Sequence, residues 1–470
     1  MVFSSLLFLF SFLPFILIGN FIWRNRTWQN LLLFVGSLYF YAWGERERVF
    51  LMIGSILINY VVGIKIEKNQ SINKQKLILA IGIIVNLGVL VYFKYAEFFV
   101  ESLNSILQWL GISQIGKMKY EKLPIGISFY TFQSISYLVD VYRKEVKAQR
   151  NFIDLGVYIA LFPQLIAGPI VRYQEIAAQL RGRVHSMAKF SVGIKRFIIG
   201  LAKKMLLANP IAYLVDEIYL IPPNELSFSL AWLAVFAYAL QIYFDFSAYC
   251  DMAIGLGNMF GFTFPENFNF PYAARSIQDF WRRWHITLSV WFRDYLYIPL
   301  GGSRGNNFKL YRNLIVVFLV TGLWHGASWS FIIWGLLHGV FILFERVGFA
   351  KVLDRMPRVL QTVYTLLVVL FAWVLFRIEN IGDVLGLYKV MFGFGETSTF
   401  YELAMFLNPY LIALLVIAGV LCFPIYSYLK IDKLLKNQNG IKNFIYLGLF
   451  VFSILEIING AYNPFIYFRF

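Results

Sequence analysis

Charge is scarce in this 470-residue chain: 14% of residues are Asp, Glu, Lys or Arg, against 59% hydrophobic. So much apolar surface with so little charge exceeds what one soluble core can bury, which excludes an ordinary water-soluble domain and makes lipid the solvent. Cysteine is scarcer still. Cys250 and Cys422 both lie in apolar surroundings without metal-ligand spacing, so both read as packing residues and no metal site is expected. There is no internal repeat, low-complexity tract or Pro/Gly/Ser linker, and a single membrane-embedded domain over 1–470 is expected, with 463–470 as a tail. Met1 to Trp23 has no basic n-region and no small-residue cleavage pattern, and reads as a retained span rather than a signal peptide.

What the chain has instead is a succession of apolar runs, each of roughly 17–25 residues, long enough to cross a bilayer as helix. Backbone polar groups in hydrocarbon need partners within their own segment, so the fold class is all-α, a polytopic integral membrane protein. The net charge of +16 sits in short loops between these runs rather than on one solvated face, which argues for membrane topology and against nucleic acid. Arg24 and Arg26 follow the first span, and Lys65, Lys68, Lys74 and Lys76 follow two more near 28–44 and 50–64. Spans near 77–98 and 123–141 then lead to Arg143, Lys144, Lys147 and Arg150, and one near 443–460 follows Lys430, Lys433, Lys436 and Lys442. With the basic loops cytoplasmic, the N-terminus and the C-terminal tail both lie outside.

The middle is less regular. Pro163, Gly168 and Pro169 interrupt FPQLIAGPIVR (Phe162–Arg172), and broken helix at membrane depth is tolerated only where protein buries it or a cavity is lined. Arg275 to Arg312 is too polar to span and too apolar for a solvated loop, which suits interfacial or re-entrant helices. Asp245 and Asp251 fall in the apolar stretch Tyr243–Phe262 and need partners, for which the nearby arginines are the candidates. Six residues apart, they do not share a helical face, so no paired-carboxylate site is proposed.

Four histidines occur, and their settings differ. His185 is in a basic loop; His285, His325 and His338 are in the apolar central third. His325 lies within FLVTGLWHGASWSFIIWGLLHGVFILF (Phe318–Phe344), longer than one crossing and predicted to bend between Gly326 and Trp329, exposing His325 to a cavity. An imidazole there either closes an interhelical hydrogen bond or moves a proton in catalysis. His338, amid bulky apolar residues, reads as packing. Between Asp279 and Gly305, Arg282, Arg283, Arg293 and Arg304 accompany Trp281, Trp284 and Trp291. Guanidinium groups and indoles suit either a bound phosphate or an anchoring belt at the lipid headgroups. His285 in this cluster either lines a path toward His325 or holds an arginine in place.

Five segments together carry a resemblance: Leu123–Arg143, Phe162–Arg172, Tyr243–Phe262, Pro265–Gly302 and GLWHGASW (Gly322–Trp329). They are written much as in the membrane-bound O-acyltransferases, specifically the bacterial alginate and peptidoglycan O-acetyltransferase branch, and the likeness runs nearly end to end. The resemblance implies a helical bundle with a central funnel in the bacterial cytoplasmic membrane. It implies that His325 is the essential histidine, acting as base, and His285 its second characteristic histidine. It also implies a cytoplasmic donor, acetyl-CoA, with Trp281, Arg282, Arg283, Arg293 and Arg304 near its phosphates. The tail FIYFRF (Phe465–Phe470) resembles a C-terminal motif of envelope acylation systems in which the tyrosine, here Tyr467, carries the acyl group. On residues alone the tail reads as an aromatic interfacial anchor in preference to an acyl carrier. The implied partners are an extracytoplasmic SGNH/esterase-type acetyltransferase and a polysaccharide acceptor, in a setting of membrane lipids. D-alanyl transfer to teichoic acid, another acyl specificity, and a transporter or flippase of an acylated carrier remain as alternatives.

Overall fold

A computed structural model describes residues 1–23, 25–116, 123–394, 400–425, 438–460 and 462–466. Arg24, Lys430, Lys433, Lys436 and Tyr467 fall outside the described residues. Every extended regular element among those described is a helix, and seven helices are long and apolar enough to cross a membrane by length and composition. The spans expected near 28–44, 50–64 and 77–98 appear as Arg26–Glu45, Val49–Lys68 and Ile72–Lys94, and that near 443–460 as Asn439–Ile458. The first is shorter than expected: a π turn at Phe8–Phe12 runs into the helix Leu13–Ile22. The chain divides into two compact units, Met1–Gly193 with Leu256–Pro265, and Ile194–Gly255 with Glu266–Phe470. Two of the three division points fall within continuous helices, Met187–Ala202 and Phe228–Met259, and the third lies in non-helical chain between Pro265 and Glu266.

The first unit is built around the helix Ile127–Tyr142, packed on Val49–Lys68 and Ile72–Lys94 and buried along almost its whole length. It is wrapped by protein on nearly every side, where the sequence predicted a span of its own. Polar side chains here find each other, as groups outside water must. Asn59 and Asn86 exchange two amide hydrogen bonds of 3.0 and 2.9 Å between neighbouring helices. The expected break after Phe162 is present: one helical turn, Phe162–Leu165, then non-helical chain to Arg172, buried in protein as far as Val171.

The second unit holds the long helix Phe228–Met259, the helices Asn307–His325, Trp329–Phe344 and Arg358–Arg377, and several short elements. Between Arg275 and Arg312 two seven-residue helices, Ile277–Arg283 and Ile286–Phe292, and a π turn at Arg293–Tyr297 replace any spanning helix. Ser276 starts the first of these by accepting the amide of Asp279 at 3.0 Å.

Two glycines let Asn307–His325 and Trp329–Phe344 touch backbone to backbone. A Cβ on Gly322 would sit 2.3 Å from the carbonyl oxygen of Phe331, and one on Gly335 would sit 2.3 Å from that of Phe318. Small residues at such a crossing give helices the dispersion contact that drives association in lipid. This pairing carries His325.

Candidate active site

His325 is the last residue of its helix. Gly326 turns to extended backbone, and Ser328 begins the next helix by accepting the amide of Phe331, so the bend expected between Gly326 and Trp329 is a complete break. A helix end leaves its last carbonyls without partners inside the helix. The imidazole is 1% exposed. Trp324, Trp334 and Phe376 surround it at ring-centroid distances of 4.9, 4.8 and 5.2 Å.

His285 is fully buried, and its ring lies 5.9 Å from that of Trp324, so one indole touches both His285 and His325. Its backbone is left-handed, with φ of 44°, unusual for a residue with a Cβ and of the kind found at sites held by their surroundings. Asn267 holds the segment: its carbonyl accepts the amide of Ile286 at 3.0 Å and its side-chain oxygen accepts the amide of Thr287 at 3.1 Å. The residue lies outside the helices long enough to span, and burial lowers the imidazole pKa to about 3.

His338 is enclosed by Phe280, Trp281 and Trp334, with ring centroids at 6.1, 5.2 and 5.0 Å, as the packing reading expected. Trp281 is therefore part of this aromatic core. Its predicted companions separate: Arg282 and Arg304 are exposed, Arg283 is paired with Asp279 at 2.9 Å, and Arg293 with Asp294 at 2.7 Å. Trp281 and Arg293 do share one cavity of about 130 Å³, with Phe318 and Ser289 in its wall.

The carboxylates found their partners, though not all in arginine. Asp251 binds Arg196 and Lys203, both at 2.7 Å, whereas Asp245 is held by Lys204 at 2.6 Å. Arg196 and Lys203 are seven residues apart and share a helical face; Lys204 is turned away from it and meets Asp245, itself on a different face from Asp251. Lys204 and Asp245 are nearly buried, at 5% and 2% exposed. They also grip the C-terminal segment. Lys204 donates to the carbonyl of Pro464, and Asp245 accepts the amide of Ile466 at 2.9 Å. Phe465 lies on Tyr249 at 5.0 Å, and the hydroxyl of Tyr462 donates to Asp216 at 2.6 Å.

Pro464, Phe465 and Ile466 line a cavity of about 60 Å³ with Phe331, Phe376 and Arg377, a space for a few water molecules. Phe376 forms a wall of this cavity and also borders His325. The tail contacts, Asn267, Trp334 and Phe376 were not anticipated from the sequence; the one available signal was that Asp245, a charge in an apolar helix, required a partner.

A polytopic helical membrane protein with a buried imidazole at a helix break, and with its own C-terminal segment in a neighbouring cavity wall, has the parts of a group-transfer enzyme. Comparison with known proteins narrows the class. Residues 10–382 match the membrane-bound O-acyltransferase family. A probable alginate O-acetylase of Azotobacter vinelandii is 46% identical over 400 residues, 84% of this chain and 79% of that protein. Another from Pseudomonas putida is 41% identical across 100% of both chains. A peptidoglycan O-acetyltransferase of Helicobacter pylori is 39% identical over 87% of this chain and 83% of its own. The chain belongs to the membrane-bound O-acyltransferase family and is an acyltransferase with multiple membrane passes.

Proposed function

We propose that this enzyme moves an acetyl group from cytoplasmic acetyl-CoA across a bacterial cytoplasmic membrane for O-acetylation of a cell-envelope or exported polysaccharide. The observation that carries the reading is the docked tail: residues 464–466 share a cavity wall with Phe376, which borders His325. The next residue is Tyr467. In this mechanism His325 takes the phenolic proton, the Tyr467 oxygen attacks the thioester carbonyl, and the carbon–sulfur bond breaks. The departing thiolate recovers the proton from His325, leaving an acetyl ester on Tyr467 and free CoA. The acetyl group then passes on the outer face to the serine of an SGNH/esterase-type partner, which delivers it to a polysaccharide hydroxyl. The exposed Arg282, Arg293 and Arg304, with Arg283 and Trp281, serve the donor end. The basic loops support this orientation, with both termini outside the cell.

The relatives' names support an acetyl group: probable alginate O-acetylases and a peptidoglycan O-acetyltransferase align over 84% or more of the chain. A teichoic acid D-alanyltransferase of Bacillus subtilis aligns at 30% identity over 46% of it. Purified enzyme incubated with labelled acetyl-CoA is expected to release CoA and label the C-terminal peptide at Tyr467. Label retained by Tyr467→Phe would sink the relay, and no CoA release at all would remove the donor.

A further inference from the structure

The side chain of Asn267 makes four contacts. Its oxygen faces the amide of Thr287 at 3.1 Å, the hydroxyl of Thr287 at 2.9 Å and Nδ1 of His285 at 3.3 Å, and its nitrogen donates to Sγ of Cys250 at 3.2 Å. A main-chain amide only donates, so the atom opposite Thr287 is the oxygen and the side-chain amide has one orientation. That oxygen only accepts, so Nδ1 of His285 carries a proton. Full burial between Phe246 and Trp324 disfavours a second one. In a neutral imidazole the remaining nitrogen, Nε2, is then a bare acceptor, and it has no hydrogen-bond partner among the described residues. A buried acceptor without a donor is costly and rare. Here it sits on a backbone already held left-handed beside the site.

We infer that Asn267 is a positioning residue, which holds His285 as its Nδ1–H tautomer so that Nε2 accepts a hydrogen bond from an amide N–H on the arm of the thioester donor. The indole of Trp324 touches both His285 and His325, and the two imidazoles make no ring contact with each other among those described, so Nε2 serves a group near the reacting carbonyl rather than the reacting hydroxyl itself. A pantetheine-type thioester carries its nearest amide N–H a short ethylene spacer from the sulfur, close to the reacting carbonyl but distinct from it. The ligand named rests on the acetyl-CoA reading above; the tautomer does not.

Two measurements test the inference on the full-length protein in detergent. Histidine ring 15N shifts, with His285→Gln as the assignment control, are expected to place the His285 proton on Nδ1; a proton on Nε2 overturns the proposal whatever the activity. Asn267→Asp keeps an acceptor toward Thr287 and His285 but favours the imidazolium, which turns Nε2 into a donor. Its KM for acetyl-CoA is expected to rise about tenfold, the scale of one buried hydrogen bond, with the His285 shifts moving to the doubly protonated form. Moved shifts with an unchanged KM would show that the lone pair holds no donor amide and overturn that part. A wild-type protein with the expected tautomer but no CoA release rejects the donor while the role of Asn267 stands.

Discussion

His325 meets Trp334 edge to face across the helix break, ring centroids 4.8 Å apart and planes at 83°. The contact fixes an imidazole at the end of one helix against an indole near the start of the next. Such packing holds the ring in one orientation rather than leaving it to rotate. His325→Ala is expected to lose about 10²- to 10⁴-fold in acetyl transfer, the range for a general base, while still inserting and folding. The check is turnover of labelled acetyl-CoA beside a thermal melt in detergent; a folded variant with normal turnover would remove His325 from the chemistry.

The buried pair Lys204–Asp245 makes a different prediction, because one partner cannot be removed without stranding the other's charge. Lys204→Met is expected to cost about 3–5 kcal/mol. Combining it with Asp245→Asn should restore part of that loss, since both charges are then gone and the side chain at 245 still accepts the amide of Ile466. A melting temperature for Lys204→Met equal to wild type contradicts the prediction.

Close approach at Gly335 should be as sensitive. Gly335→Ala forces apart the helices that carry His325 and is expected to lose about 1–3 kcal/mol together with activity. Gly448→Ala, where a Cβ would meet no atom within 4 Å, serves as the control and should be near neutral.

His185 predicts how stability depends on pH. It lies between Arg183 and the helix Met187–Ala202, with Nε2 3.3 Å from Arg26. Burial, then Arg183, Arg26 and Lys189, lower its pKa to about 4. Unfolded, it titrates near 6.5, so between these values the unfolded chain binds more protons and acid favours unfolding. Stability is full above about pH 6.5 and falls as pH drops toward about 4, and His185→Gln should flatten that fall. Melts across the range decide it: parallel curves for variant and wild type refute the assignment.

The exposed arginines give a binding prediction. Replacing Arg282 and Arg304 together by alanine should raise KM for acetyl-CoA about two- to fivefold, more at low salt, with kcat nearly unchanged, as loss of solvent-exposed ion contacts implies. A salt-independent KM equal to wild type would assign these side chains to the lipid surface instead.

Several of these features were readable in the linear chain because they depend on neighbours in sequence. Gly326 and Ser328 mark the helix break beside His325, and Pro163 with Pro169 marks the one after Phe162. Alternation of apolar runs with Lys and Arg announced the spans, although Ile127–Tyr142, apolar enough to be expected among them, became a protein-wrapped core helix. Hydropathy records how apolar a segment is, not whether lipid or protein covers it.

Composition and local pattern by themselves determined a helical membrane protein with a rare histidine at a helix break, since helix, lipid preference and chain reversal are properties of contiguous residues. Tertiary structure alone decided that Asp245 pairs with Lys204 rather than an arginine, that the pair holds the tail, and that Asn267 orients His285. Lys204 and Asp245 stand 41 residues apart, and Asp245 and Ile466 stand 221 apart. Such pairings follow from which faces the folded helices turn toward each other, and no local periodicity encodes that choice.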